Sequence, residues 1–131
     1  MSMNPSDITV LVVEDEVLIA MHLTRELEQA GYKTCRTAGS GPAAITAAEK
    51  ERPNVVLMDI RLPGSVDGIE AGREIMTQHG IPVIFLTGYS DSSIGSPARE
   101  ISSAPVLGKP ASLSEIEQAI QTVLGHVPDG E

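Results

Sequence analysis

Five side chains that could do chemistry stand directly after apolar stretches of this sequence. Glu14 and Asp15 follow one stretch, Asp59 follows a second, and Thr87 and Lys109 follow two others. Carboxylates can bind a divalent cation, while a hydroxyl and an ammonium group can donate to the oxygens of an anion. This set of groups suits a metal ion beside a phosphoryl group, if the fold brings the four stretches together.

Asp59 is the candidate nucleophile because it directly follows a buried run and no helix begins there. Glu14 and Asp15 alone have a simpler explanation, as acidic residues that favour a helix N-terminus. Crowded carboxylates raise each other's pKa unless a cation neutralises them, and Mg²⁺ suits a site with few protein ligands. We expect Asp59 to form an aspartyl phosphate, with Lys109 against one phosphoryl oxygen and Thr87 donating to another.

Strands and helices alternate along the chain. The apolar, β-branched runs predict strands at residues 8–13, 33–37, 55–58, 83–86 and 105–107. Helical spacing and N-cap residues predict helices at residues 17–30, 40–50, 67–79 and 112–125. Between Ser90 and Ser103, six serines with Gly95 and Pro97 predict a helix that is short or mobile. The pattern indicates an α/β protein with a single doubly wound, five-stranded parallel sheet and five flanking helices, whose site lies at the carboxyl ends of the strands.

Composition and charge argue against nucleic acid and membranes as partners. The net charge of −9 and the presence of only three aromatic residues disfavour nucleic acid, which needs positive charge and stacking surfaces. No signal peptide or membrane-spanning run is present, and Cys35 is the single cysteine. We therefore predict a cytoplasmic protein without a membrane partner. Residues 1–7 and 126–131 are expected to be tails around one domain at 8–125, with no room for an effector domain.

Five sequence fragments, taken in order, resemble the receiver domains of bacterial two-component response regulators. They are Val13-Glu14-Asp15-Glu16, Met58-Asp59-Ile60-Arg61-Leu62-Pro63-Gly64, Asp67-Gly68, Leu86-Thr87-Gly88 and Gly108-Lys109-Pro110. The likeness extends from Ile8 to about Leu124. It implies a flavodoxin-like receiver fold with strand order 2-1-3-4-5, and a signalling domain rather than an enzyme.

The resemblance also assigns roles to residues. It implies that a histidine kinase phosphorylates Asp59 and that Asp15 and Asp59 bind Mg²⁺ directly. Glu14 would reach the metal through water, and the backbone carbonyl of Arg61 would complete the protein ligands. Thr87 and Lys109 would be the pair that senses the phosphoryl group.

Three features depart from the usual receiver pattern. Val106 stands where receivers usually carry an aromatic switch residue, and the loop from Leu62 to Asp67 is about one residue longer than usual. The run Phe85-Leu86-Thr87-Gly88-Tyr89 resembles a receiver subgroup, the FATGUY regulators, whose members are typically single-domain and associated with HWE-type or related histidine kinases. We treat Tyr89, Gly88, Arg61 and Pro110 as candidate modulators; Tyr89 and Arg61 are equally explained as exposed loop residues.

Three functions are consistent with these residues. The first is a phosphorylated single-domain regulator, which signals through altered protein binding or drains phosphate from a kinase as a sink. The second is a receiver-like module that binds proteins without being phosphorylated, which only Val106 favours. The third is an enzyme of the same topology: a flavin carrier would need a phosphate-binding loop after the first strand, and an aspartate phosphatase would need an acid where Arg61 stands.

Overall fold

The computed structural model describes residues 4–64, 66–88 and 106–124, in which strands and helices alternate. The strands are β1 (Thr9–Val13), β2 (Lys33–Thr34), β3 (Val55–Asp59), β4 (Val83–Thr87) and β5 (Val106–Gly108). The α-helices of the described residues are α1 (Val17–Gln29), α2 (Gly41–Glu51), α3 (Gly68–His79) and α4 (Leu113–Leu124). A short 3₁₀ helix, Pro5–Asp7, precedes β1. The fifth predicted helix and the segment from Ser90 to Ser103 lie outside the described residues.

All five strands run parallel, in the order β2-β1-β3-β4-β5, so the predicted doubly wound sheet is confirmed. The register places Asp59 opposite Leu86 and Thr87 opposite Gly108. The strands therefore end at nearly the same level. This alignment puts their following residues along one edge of the sheet, where parallel folds carry their sites.

The sheet is covered on both faces, which explains why its strands are apolar without alternation. One face packs against α2 and α3, with Leu11, Val13 and Phe85 among its buried side chains. The other face packs against α1 and α4, with Val10 and Val12 among them. Successive residues of β1 thus enter opposite layers, as the period of a strand requires.

Phe85, the sole phenylalanine, is fully buried under a glycine of α3. A Cβ atom on Gly72 would lie 2.7 Å from Cζ of the Phe85 ring, much closer than real Cβ atoms approach. Gly72 thus lets α3 lie close to the sheet with the ring beneath it. This contact helps to fix the height of α3 above β3 and β4.

Every strand has at least one boundary that differs from the prediction: β1 begins at Thr9, one residue later than predicted, and β5 extends one residue further, to Gly108. The prediction of β2 up to Thr37 was wrong, because pairing with β1 stops at Thr34 and resumes only as an isolated bridge between Val13 and Ala38. β3 and β4 are one residue longer than predicted, because the ladder includes Asp59 and Thr87.

The predicted helix caps are confirmed. Ser40 accepts from the Ala43 N–H group, and Asp67 accepts from the Glu70 N–H group at 2.9 Å. At α4 the capping box is reciprocal. The Glu115 side chain accepts from the Ser112 N–H group, and the Ser112 hydroxyl accepts from the Glu115 N–H group.

Candidate functional site

Three polar side chains are buried at the carboxyl edge of the sheet. Glu14 directly follows β1, while Asp59 and Thr87 are the last residues of β3 and β4. They retain 3%, 4% and 6% exposure, and among the described residues they are the only buried polar or charged ones. Burying carboxylates is unfavourable unless other groups compensate for the lost hydration, so their partners define the site.

Lys109 supplies a positive charge at this edge. Its Nζ atom lies 2.7 Å from Glu14 Oε1 and 3.1 Å from Asp59 Oδ2. The Lys109 N–H group donates to the Thr87 carbonyl at 2.7 Å, which anchors the lysine backbone to the end of β4. One ammonium group therefore bridges two buried carboxylates that come from different strands.

The second oxygen of each buried carboxylate accepts a backbone N–H group. The Arg61 N–H group donates to Asp59 Oδ1 at 3.1 Å. The Glu16 N–H group donates to Glu14 Oε2 at 3.2 Å. Each carboxylate is thus held at both oxygens, and its orientation is set before any ligand arrives.

Burial and neighbouring charges together shift the pKa values of Glu14 and Lys109. Burial, together with repulsion from Asp59, raises the pKa of Glu14 above its usual value, although the hydrogen bond from Lys109 acts against this. Burial alone would lower the pKa of Lys109. The hydrogen bonds and attraction from Glu14 and Asp59 outweigh burial and raise it, so Lys109 stays charged at neutral pH. The two carboxylates therefore keep the Lys109 ammonium group charged, and a further positive charge beside Glu14 would also be favoured.

The carboxylates fit a divalent metal ion. Glu14, Asp15 and Asp59 each offer one oxygen, and these three oxygens lie within 4.8 Å of one another. Asp15 is exposed, so the group is open to solvent on one side. All three donors are hard oxygens, and none of these residues is a histidine or cysteine, which matches the preference of Mg²⁺.

The structure brings most of the predicted site residues together. Glu14, Asp15, Asp59 and Lys109 meet, with Thr87 at the end of the neighbouring strand. Gly88 and Pro110 are exposed and directly follow Thr87 and Lys109. Tyr89 lies outside the described residues, so its role as a modulator stays a prediction. The role of the Arg61 carbonyl as a ligand and the water-mediated role of Glu14 also stay predictions.

The candidate residues deduced from the sequence did not include Gly68. A Cβ atom there would overlap the carbonyl oxygen of Asp59 and lie 2.8 Å from Ile60 Cα. The first residue of α3 therefore touches the backbone of the candidate nucleophile, and only glycine fits. The Asp67-Gly68 pair was visible in the sequence as part of the family likeness. Its contact with Asp59 depends on tertiary structure, which local sequence does not reveal.

The sequence pattern of the response regulator receiver domain family matches residues 10–121, and the chain therefore belongs to this family. It is 38% identical over 117 residues to the transcriptional regulatory protein PdtaR of Mycobacterium tuberculosis. That alignment covers 89% of this chain and 57% of the regulator, so the chain spans little more than half of that relative's length.

Two further relatives resemble the chain over most of its length. Sporulation initiation phosphotransferase F of Bacillus subtilis is 31% identical, over 88% of this chain and 92% of its own. A response regulator of Burkholderia pseudomallei, solved with a phosphorylated aspartic acid, calcium ion and citrate, is 27% identical with a TM-score of 0.80. The match covers 90% of this chain and 69% of that one.

Proposed function

We propose that this receiver domain accepts a phosphoryl group from a histidine kinase on Asp59, in a reaction that requires Mg²⁺. The observation that carries the proposal is the Asp59 carboxylate, buried and held by the Arg61 N–H group and Lys109 Nζ, beside two more carboxylates. The phosphorylated aspartic acid in the Burkholderia regulator and the name of the Bacillus phosphotransferase support the same chemistry.

The transfer forms one bond and breaks another at phosphorus. An oxygen of Asp59 bonds to the phosphorus atom, and the bond from phosphorus to the imidazole nitrogen of the donor breaks, with its electron pair returning to that nitrogen. Glu14, Asp15 and Asp59 would hold Mg²⁺, which supplies positive charge to the transferred group. Lys109 then pairs with a phosphoryl oxygen, and the Thr87 hydroxyl donates to another.

The exposed start of α1 supports a protein as the phosphoryl donor. Val17, Leu18 and Met21 expose 68%, 80% and 50% of their surface although they are apolar, and they directly follow the acidic residues of the site. Beside them, Ile19, Leu23 and other residues line an apolar cavity of about 320 Å³ next to Lys109. Apolar surface of this kind marks a site of protein association. The likeness of residues 85–89 to the FATGUY regulators favours a kinase of the HWE type or a related class.

The output of the switch is a changed protein-binding surface or the removal of phosphate from a kinase. The removal of phosphate is supported by the Bacillus relative, which is named a phosphotransferase and of which this chain covers 92%. Among the described residues, no helix is long and apolar enough to cross a membrane. The single cysteine supports a reducing, cytoplasmic location. The alternative, a module that binds proteins without phosphorylation, is favoured only by Val106, which replaces the usual aromatic residue.

Mass spectrometry after incubation with acetyl phosphate and Mg²⁺ tests the proposal. The protein should gain one phosphoryl group that survives acid and is lost in base, and chelation of Mg²⁺ should prevent the gain. Asp59→Asn should abolish the gain, whereas Asp67→Asn, at an exposed aspartate that caps α3, should keep it. No gain in the wild-type protein, or an equal gain in Asp59→Asn, would refute the proposal and favour the unphosphorylated module.

Phosphotransfer from each histidine kinase of the host identifies the donor. We expect one kinase to lose its label rapidly to this chain. A labelled protein that then captures no further partner would act as a sink, whereas one that gains a partner would act as a messenger.

A further inference from the structure

α2 and the loop that follows β3 approach each other very closely at Gly41. Gly41 is the first residue of α2 and is buried. A Cβ atom built on Gly41 would overlap the backbone carbonyl of Val66 and would lie 2.8 Å from Val66 Cγ1. Any amino acid other than glycine would therefore push Val66 away from α2.

The close approach, rather than the backbone conformation, is what requires glycine here. Among the described residues, the glycines with left-handed φ angles are Gly31, Gly64 and Gly80, and Gly41 is not one of them. Alanine is a much better helix former than glycine, so local propensity would favour alanine at the start of α2. The glycine therefore serves a tertiary contact with Val66.

The loop that contains Val66 is attached to Asp59 at its start and to Ile60, beside Asp59, at its end. At its start, the Arg61 N–H group donates to Asp59 Oδ1 at 3.1 Å. At its end, the Gly68 N–H group donates to the Ile60 carbonyl at 2.9 Å, and the Gly68 Cα packs against the Asp59 carbonyl oxygen. Displacing the middle of so short a loop moves its ends, and both ends lie against the candidate nucleophile.

We propose that Gly41 is a positioning residue for phosphoryl transfer. It allows Val66 to pack on α2, and this packing places the Arg61 N–H group that orients the Asp59 carboxylate. Gly41 touches no reacting atom and acts only through the loop. The inference rests on the proposed function, because it concerns the same carboxylate.

Gly41→Ala tests the inference, with Gly39→Ala as the matched control. A Cβ atom on Gly39 would have Asp15 Cα as its nearest neighbour, at 3.8 Å, which is an ordinary contact close to the same site. We measure amide proton exchange at Arg61 and Gly68, and the affinity for Mg²⁺ alone. Gly41→Ala should speed exchange at both amides and weaken Mg²⁺ binding about tenfold, as loss of a ligand-orienting contact does. Gly39→Ala should change neither.

Amide exchange at Arg61 needs neither metal nor phosphate, so it separates this inference from the proposed function. A wild-type protein that takes up no phosphoryl group would refute the function, and the exchange data would still test the role of Gly41. Unchanged Arg61 exchange in Gly41→Ala would overturn the inference, as would equal changes in both variants. If Gly41→Ala does not fold, Val66→Gly removes the side-chain part of the contact, the packing of Val66 Cγ1 on α2, and leaves the Val66 backbone carbonyl in place. Unaltered exchange in Val66→Gly would overturn the inference equally.

Discussion

The Lys109 ammonium group joins two buried carboxylates that would otherwise repel each other. It contacts Glu14 and Asp59 while keeping 21% of its side chain exposed. We expect Lys109→Gln to lower the free energy of unfolding of the metal-free protein by about 2 kcal/mol, because losing one partner leaves buried charge unpaired. Urea unfolding measures this loss. Added Mg²⁺ should recover much of it, since the metal replaces the missing positive charge.

Lys50→Gln is the control for this experiment, because Lys50 is an exposed lysine on α2 with no ion pair among the described residues. Its unfolding free energy should change by less than about 0.5 kcal/mol, with no added effect of Mg²⁺. Equal losses in the two variants, or no recovery of Lys109→Gln with Mg²⁺, would contradict the bridging role of Lys109.

The residue types of the site could be predicted, but their pairing could not. Glu14, Asp59, Thr87 and Lys109 follow or end apolar runs, and parallel strands bring such positions together. The sequence suggested that Lys109 faces a phosphoryl group, whereas in the structure its Nζ atom pairs with Glu14 and Asp59, which are 95 and 50 residues away. Which atoms meet depends on strand register and side-chain packing, and these are set by the whole fold.

Helix α1 carries the exposed apolar surface that we assign to kinase binding. Leu18 is 80% exposed and contributes little to the core. We expect Leu18→Ser to slow phosphotransfer from the cognate kinase about tenfold, as loss of a central apolar interface contact does. Phosphorylation by acetyl phosphate should be unchanged. Arg25→Ser, at an exposed position further along α1, should affect neither reaction. A parallel loss with both donors would show that Leu18 acts on the site instead of on docking.

α3 depends on the contact between Gly72 and the Phe85 ring. A methyl group at Gly72 would lie within 2.7–2.8 Å of two ring atoms, so Gly72→Ala should lower the free energy of unfolding by about 1–3 kcal/mol. Thermal or urea unfolding measures the change. In a Phe85→Leu background the smaller side chain leaves room, so the same substitution should cost less than in the wild-type protein. Strict additivity of the two changes would contradict this packing.

Elements with strong periodicity were predicted well, whereas the extent of the edge strand β2 was not. The three inner strands, β1, β3 and β4, and the capped helices carry their information locally, in apolar runs and in cap residues such as Ser40 and Asp67. β2 is an edge strand with polar and apolar residues mixed, so its sequence does not reveal where pairing with β1 stops. The closeness of Gly41 to Val66 was invisible for a similar reason, because nothing in either segment specifies its neighbour.

Tyr32 links two distant parts of the molecule, the turn after α1 and helix α4. Its hydroxyl donates to Glu117 Oε2 at 3.1 Å. Burial, followed by the bond to Glu117 and repulsion from its charge, raises the pKa of Tyr32 to about 12. The folded state therefore favours the neutral phenol. The resulting stability is fully present below the ordinary tyrosine pKa and is lost as the pH rises through about 12.

Ultraviolet titration of Tyr89→Phe follows Tyr32 alone, because the chain has only two tyrosines. We expect a midpoint near pH 12, compared with about 10 for an exposed tyrosine. Glu117→Gln should move the midpoint back towards 10, since it removes the neighbouring charge. A midpoint near 10 in the Glu117-containing protein would contradict the buried contact.

Gly68, the first residue of α3, contacts the Asp59 carbonyl directly. If α3 tilts about this contact, the far end of the helix moves the most. The helix has 12 residues and so extends about 18 Å from that contact. A tilt of about 3° at Gly68 therefore carries the far tip at His79 through roughly 1 Å. A shift at the end of β3 that tilts α3 by this angle would therefore also move the side chains presented at the far end of the helix.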